Sequence, residues 1–271
     1  MSVSTEPRSG VASERRDGVA TVTIDRPGRK NALDPAAFAR LAAELTALDA
    51  DPDVRVVVIT GAGGDFCAGA DLSGSDDRPH PLIGMEEVNR AAVALHRLSK
   101  PSIAKVDGVA VGAGFNLALG CDLVVASDRA RFSEIFSKRG LSVDFGGSWL
   151  LVQRVGLHRA KELCLLAEVL PASRAAEMGL VNKIVGVDEL DAAVAEWADQ
   201  LAAGPPVAIT LTKRLLDQAV TSSFEDALDR EAHAQAVNLM GVDAPEAFAA
   251  FRAKRTPTFT GGWAPAPPAT P

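Results

Sequence analysis

One carboxylate, Asp144, stands in the run GLSVDFGGSW (140–149) among glycines and apolar side chains, with no basic residue inside the stretch. A solvated loop surrounds an aspartate with other polar groups, and the paired Gly146 and Gly147 do not suit a helix interior. Two roles fit such an acid. It either caps the helix that begins near Gly146, or it is held out of water, where burial raises its pKa toward the range useful for proton transfer. Phe136 and Phe145 lie close enough in sequence to desolvate it. Two glycine-rich turns offer a complementary device. VGAGFNLALG (111–120) follows a strand-like run and opens a helix, but it lacks the GK[ST] of a P-loop, and Leu117 replaces the third glycine of GxGxxG. Its unpaired amides at a helix N-terminus still stabilise negative charge. FCAGADL (66–72) follows the apolar run VVVIT and can aim a second amide into the same space. Two converging N–H groups make an oxyanion hole for an enolate or a tetrahedral oxygen.

The elements that must position these groups follow from periodicity. GVATVTID (18–25) alternates like a half-buried strand, and RPGRKN turns the chain. Asp34 and Pro35 read as an N-cap with proline at the first helical position, and Phe38, Leu41, Leu45 and Leu48 mark the buried face of that helix. VRVVVITG (54–61) is a strand covered on both faces. Residues 73–84 are expected to form a mobile polar loop, followed from Met85 by a helix carrying Val88, Ala92, Leu95 and Leu98. PSIAKVDG (101–108), LVVAS (123–127) and LVNKIV (180–185) read as strands. From about 187 to 254 the pattern is helical, broken at GPP (204–206) and GVDAP (241–245). The expected layout is an α/β core over 13–200, a helical region over 201–261, and loose tails at 1–12 and 262–271.

Composition narrows the chemistry. A chain of 271 residues, 47% of them hydrophobic, supports a full-sized core. The 28 Lys and Arg against 35 Asp and Glu give a net charge of −7, and no basic stripe with interleaved aromatics exists, which argues against a nucleic-acid partner. Cys67, Cys121 and Cys164 lie far apart with no CxxC pair, so neither a disulfide framework nor a zinc site is expected. The polar start lacks a signal-peptide run, and no stretch of about 18 apolar residues occurs. A cytoplasmic protein without membrane contact is expected. His80, His96, His158 and His233 are mutually isolated and read as surface residues, and tyrosine is absent, so acid-base work falls on carboxylates.

Taken together, RPGRKNAL (26–33), FCAGADL (66–72), VDGVAVGAGFNLALGCDLVVAS (106–127), ARFSEIFSKRGLSVDFGGSWLL (130–151) and FRAKRTPTFTG (251–261) resemble the crotonase superfamily, the enoyl-CoA hydratase/isomerase family, in order and spacing. The resemblance implies a spiral of ββα units with a C-terminal helical trimerisation region, a homotrimer or dimer of trimers, an acyl-CoA thioester as substrate, and no further cofactor or metal. It assigns the thioester oxygen to the amides of Ala70 and Ala113. It puts Lys30, Ala32, Ala68, Asp71 and Leu72 in the segments that line the coenzyme A site, where Arg29 and Lys30 could also neutralise phosphate. Hydratases of the family use two glutamates, and ungapped alignment puts Asn116 and Phe136 at those positions. Neither side chain moves a proton. In isomerase branches an aspartate in a GL-x-x-D-x-GG context, like that of Asp144, is the proton carrier, and the branch most resembled is that of the phenylacetate-pathway ring-epoxide isomerase and the Δ3,Δ2-enoyl-CoA isomerases. Asn116 is expected to bind substrate or to hold Asp144 and a water, and Phe136 to bind substrate. Glu134, the other nearby carboxylate, shares the face of Phe136 if the segment stays extended and could then serve as a second acid, but is expected at the surface. A hydratase of low activity and a silent acyl-CoA-binding protein are the alternatives.

Overall fold

The structure, a computed structural model, describes residues 10–73 and 80–263. The chain opens with a hairpin of β1 (Val11–Arg16) and β2 (Val19–Ile24). Asp17 and Gly18 turn it, both at positive φ as a tight two-residue hairpin requires. β2 buries Ala20, Val22 and Ile24 on alternate positions, as its pattern predicts. β1 was not expected, and it ties down two residues of the segment expected to be loose. Only Val11 of β1 is buried, because it is an edge strand, and charged residues suit such an edge.

β3 (Val56–Gly61), β4 (Ser102–Val106), β6 (Leu123–Ser127) and β9 (Lys183–Val185) extend this hairpin in parallel, giving a six-stranded sheet in the order β1-β2-β3-β4-β6-β9. A second sheet joins β5 (Val109–Val111), β7 (Arg131–Ser133) and β8 (Leu170–Pro171) in the order β5-β7-β8. β3 is covered on both faces, as its β-branched run predicts. Val57 and Ile59 enter the main core, whereas Val56 and Val58 enter a second cluster with Ile103, Val125, Leu190 and Val194.

The main core is closed by α1 (Pro35–Ala50), which Asp34 caps by accepting from the Ala37 amide at 2.9 Å. Phe38, Leu41, Leu45 and Leu48 are fully buried, each contributing about 1.5–3 kcal/mol of apolar burial. α2 (Pro81–His96) packs along α1 and begins four residues before Met85, with His80 as its N-cap; residues 74–79 of the expected loop lie outside the described residues. α3 (Ala113–Gly120) is almost wholly buried. α4 (Gly147–Leu166) is interrupted at Gly156, whose φ of 75° breaks the helical path. α5 (Ala172–Glu177) leads to β9, and α6 (Leu190–Ala202) covers the second cluster.

Three helices follow: α7 (Pro206–Ala219), α8 (Phe224–Met240) and α9 (Asp243–Ala253). The break between α7 and α8 was not expected; Ser223 makes it by accepting from the Asp226 amide at 3.1 Å. The tail is bound further than expected, since Gly241 and Trp263 bridge and the Val242 amide donates to the Gly262 carbonyl at 3.0 Å. The whole is the α/β spiral with a C-terminal helical region that the family resemblance implies.

Candidate active site

The first two predicted substrate-binding segments meet side by side. The Ala68 amide donates to the Lys30 carbonyl at 2.9 Å, Leu33 to the Gly69 carbonyl at 2.8 Å, and Asp71 to the Leu33 carbonyl at 2.8 Å. Lys30 and Asn31 enter this ladder at positive φ. Ala32 is buried and its carbonyl accepts from Arg26, while Leu72 and the Lys30 side chain face solvent. The Asp71 carboxylate is engaged by Arg26 at 3.2 Å and Arg29 at 3.1 Å. Burial pushes its pKa up, but hydrogen bonds from Ser73 and the charges of Arg29 and Arg26 outweigh this and hold it below the usual carboxylate range. Arg29 is thereby matched within the chain, whereas among the described residues Lys30 has only Asp65, at 3.9 Å.

Asn31, overlooked in the sequence, joins these turns. Fully buried, it accepts from the Arg26 amide at 2.9 Å and donates to the carbonyls of Ala62 at 2.8 Å and Asp65 at 2.6 Å. Its signal was an asparagine inside a tight basic turn, since asparagine tolerates left-handed backbone. Asn31→Ala leaves three partly buried backbone groups without their partner and is expected to destabilise the fold by about 2–4 kcal/mol. Chemical denaturation checks this; an unchanged midpoint would contradict the role.

The second pair of segments meets at the start of α3. Cys67 pairs with β5, its amide donating to the Val109 carbonyl at 2.9 Å and its carbonyl accepting from Val111 at 3.0 Å. Gly112, the N-cap, has φ 57° and ψ −126°, a conformation suited to glycine, and Ala113 is the first helical residue. The Ala113 amide therefore has no intrahelical acceptor. Because the neighbours of Ala70 carry the bonds to Leu33, the Ala70 N–H points away from that ladder. A methyl group on Gly69 would lie 2.7 Å from the Val111 carbonyl oxygen and 3.3 Å from the Ala113 nitrogen. Only glycine permits so close an approach, which sets Ala70 alongside Ala113. Phe136 is buried against the same turn, its ring 3.5 Å from where a Gly112 side chain would begin.

Asn116 lies one turn along α3, on the face of Ala113. It is fully buried, and its Nδ2 donates to the Asp144 main-chain carbonyl at 3.0 Å and to Glu134 Oε2 at 3.4 Å. The approach requires Gly147, where a Cβ would fall 2.3 Å from the Asn116 amide. Asp144 is thus anchored over the opening of α3. Its carboxylate does not cap α4, since the N-cap is Gly146 and no side-chain cap bond forms. The Asp144 Oδ1 atom is buried with no protein partner, and burial pushes the pKa of the group up to about 6. The next residue, Phe145, packs on Phe38 and has φ 50°, a costly conformation for an aromatic residue and one that accumulates at functional sites.

Glu134 contradicts its expected surface position, being only 1% exposed. It follows β7 directly, at the parity of fully buried Phe132, and so shares that inward side before residues Ile135–Arg139 turn into a 3₁₀ helix. Burial chiefly, and then the charge of Asp144, push its pKa up to about 8 against the opposing hydrogen bond from Asn116. Trp149 is partly exposed and stacks edge-on against His96, and among the described residues no group of three or more His, Cys, Asp or Glu could hold a metal.

The family model for enoyl-CoA hydratase/isomerase matches residues 14–262. The 1,2-epoxyphenylacetyl-CoA isomerase of Escherichia coli K12 is 38% identical over 257 residues, covering 93% of this chain and 98% of that protein. The short-chain-enoyl-CoA hydratase of Clostridium acetobutylicum is 34% identical over 254 residues, covering 91% and 96%. Among solved structures, an enoyl-CoA hydratase from Polaromonas sp. JS666 superposes with a TM-score of 0.87 at 35% identity, covering 92% of this chain and 99% of that one. A protein of the same type from Thermobifida fusca YX, solved in complex with CoA, superposes with a TM-score of 0.80 at 36% identity, covering 85% and 93%. The chain belongs to the enoyl-CoA hydratase/isomerase family, the crotonase superfamily.

Proposed function

We propose that this protein is an enoyl-CoA isomerase in which Asp144 carries the proton. The observation that supports it is the Asp144 carboxylate itself, withdrawn from water beside the start of α3; the family resemblance puts Asn116 and Phe136, neither of them an acid, at the positions where hydration would need acids. Moving a double bond along an acyl chain is a 1,3-proton transfer. Asp144 removes a proton at one carbon, a dienolate forms, and the same carboxyl returns the proton two carbons away. The amides of Ala70 and Ala113 hold the thioester oxygen as it gains charge, which is favourable because donors fixed in advance need no reorganisation. Similarity to a ring-epoxide isomerase supports placing the protein in the single-aspartate branch.

Coenzyme A would lie along the ladder of residues 30–33 and 68–72, with Lys30 and Arg29 near its phosphates and the backbone around Ala32, Ala68, Asp71 and Leu72 along its pantetheine arm. Phe136 would contact the acyl group. The core over 13–200 would carry this site and the helices over 201–261 the subunit contacts of a homotrimer or dimer of trimers. In support, α7 to α9 leave Leu216, Phe224, Leu239, Phe248 and Phe251 exposed within a single chain.

The function is tested by incubating the protein with 3-enoyl-CoA and separating the products. An equilibrium mixture of 3-enoyl and 2-enoyl thioesters is expected. Accumulation of 3-hydroxyacyl-CoA would instead establish hydration through an Asp144-held water, and binding of CoA esters without turnover would establish a silent binder.

A further inference from the structure

We propose that Glu134 is a positioning residue of this site, holding a proton in the resting protein and donating it as a hydrogen bond to the Asn116–Asp144 pair, so that Asp144 is the only anion in the pocket.

Three buried side-chain oxygens, Oδ1 of Asn116, Oε1 of Glu134 and Oδ1 of Asp144, have no protein partner. The one amide group between them is already committed, its Nδ2 directed at the Asp144 carbonyl and at Glu134 Oε2. That orientation is fixed by chemistry, because a main-chain carbonyl can only accept. Three buried acceptors left unmatched by any donor bond among the described residues is an arrangement that buried polar groups avoid. One proton resolves it. Carried on Glu134, it turns one unmatched acceptor into a donor beside the Asn116 amide, which already meets Glu134 Oε2.

The surroundings favour Glu134 as the proton's holder. α3 presents Asn116, which is neutral, and the loop before α4 presents Asp144; α4 presents Cys164, whose thiol is pushed up to about 11 by burial first and then by the charge of Glu134. Among the described residues neither carboxylate has an ion-pair partner, and Glu134 is the more deeply buried of the two. Two unpaired, buried anions side by side repel strongly, so one stays protonated. With Glu134 neutral, the pocket holds a single negative charge throughout the reaction, first on Asp144 and then on the dienolate while Asp144 is protonated. Ionised Glu134 would add a second charge at the point where the enolate must form.

The inference rests on Asp144 as the proton carrier, so its test separates the two claims. The infrared spectrum of the wild-type protein at pH 7 is expected to contain a protonated-carboxyl band that survives in Asp144→Asn and vanishes in Glu134→Gln. The kcat/KM of the wild type is expected to fall as pH rises through about 8, where Glu134 ionises. Glu134→Gln, which keeps a donor in place but cannot ionise, is expected to lose that alkaline fall and to reduce kcat/KM at pH 7 by no more than about tenfold. A wild-type protein without the band, or a Glu134→Gln variant that keeps the band or the alkaline fall, overturns the inference. Unimpaired turnover by Asp144→Asn would instead overturn the role of Asp144, while the band alone would still decide where the proton resides.

Discussion

Asp144→Asn is expected to lower kcat by about 10²–10⁴-fold, the range for loss of a positioned acid or base, while acyl-CoA binding persists. Asparagine preserves shape and main-chain contacts, so the Asn116 bond to the residue-144 carbonyl remains. A second readout distinguishes this from misfolding. Burial raises the pKa of Asp144 to about 6 from its ordinary value of 3.8, so its ionised form is disfavoured on folding. For an acid shifted upward, stability is lost as pH rises through the window between these values. A neutral asparagine removes that penalty, and the variant is expected to unfold at a higher temperature than the wild type at neutral pH. Wild-type activity is correspondingly expected to rise with pH through about 6, as the base ionises. An inactive variant that is also less stable would speak for a structural role, and an active one would remove Asp144 from the mechanism.

Gly69→Ala is expected to produce the second large effect. Gly69 has φ 91°, which a side chain strains, and the added methyl would meet the Val111 carbonyl oxygen at 2.7 Å. Backbone, not a flexible side-chain end, must give way. The two turns carrying Ala70 and Ala113 would separate, and the loss of one oxyanion donor typically costs about 10²–10³ in kcat. The effect should fall on kcat more than on KM, because the donors act chiefly when charge develops on the oxygen. Steady-state kinetics on a variant shown by circular dichroism to be folded checks it, and a folded variant with wild-type kcat would dissociate these amides from the reaction.

Much of the fold was legible where periodicity or capping is strong. Asp34 with Pro35, the apolar face of α1, the doubly buried β3 and the breaks before α7 and α9 all appear where pattern predicts them. The omissions share a cause. β5, β7 and β8 have two or three residues each, too few for alternation to register, and their pairing depends on segments far apart in sequence. β1 shows one apolar side chain followed by charges because it lies at an edge.

The site divides in the same way. Glycines that permit close approach stand out as residue types, so the turns at 66–72 and 111–116 could be singled out before their contact was visible. The partner of each close approach is a tertiary fact. Nothing local links Gly147 to Asn116, or Asn31 to residues 62 and 65. Glu134 was misjudged because charge type outweighed position. Its parity with fully buried Phe132 along β7 and just beyond it was the available signal, and burial of a carboxylate becomes credible only once Asn116 is seen to meet it.

The most direct measurement is a crystal structure of the protein with a non-reacting acyl-CoA bound. The thioester oxygen is expected about 2.7–3.1 Å from the amides of Ala70 and Ala113. An Asp144 carboxylate oxygen is expected about 3–3.5 Å from both carbons between which the proton moves. An Asp144 carboxylate turned to bulk solvent, or a thioester oxygen bound away from those two amides, would contradict the mechanism.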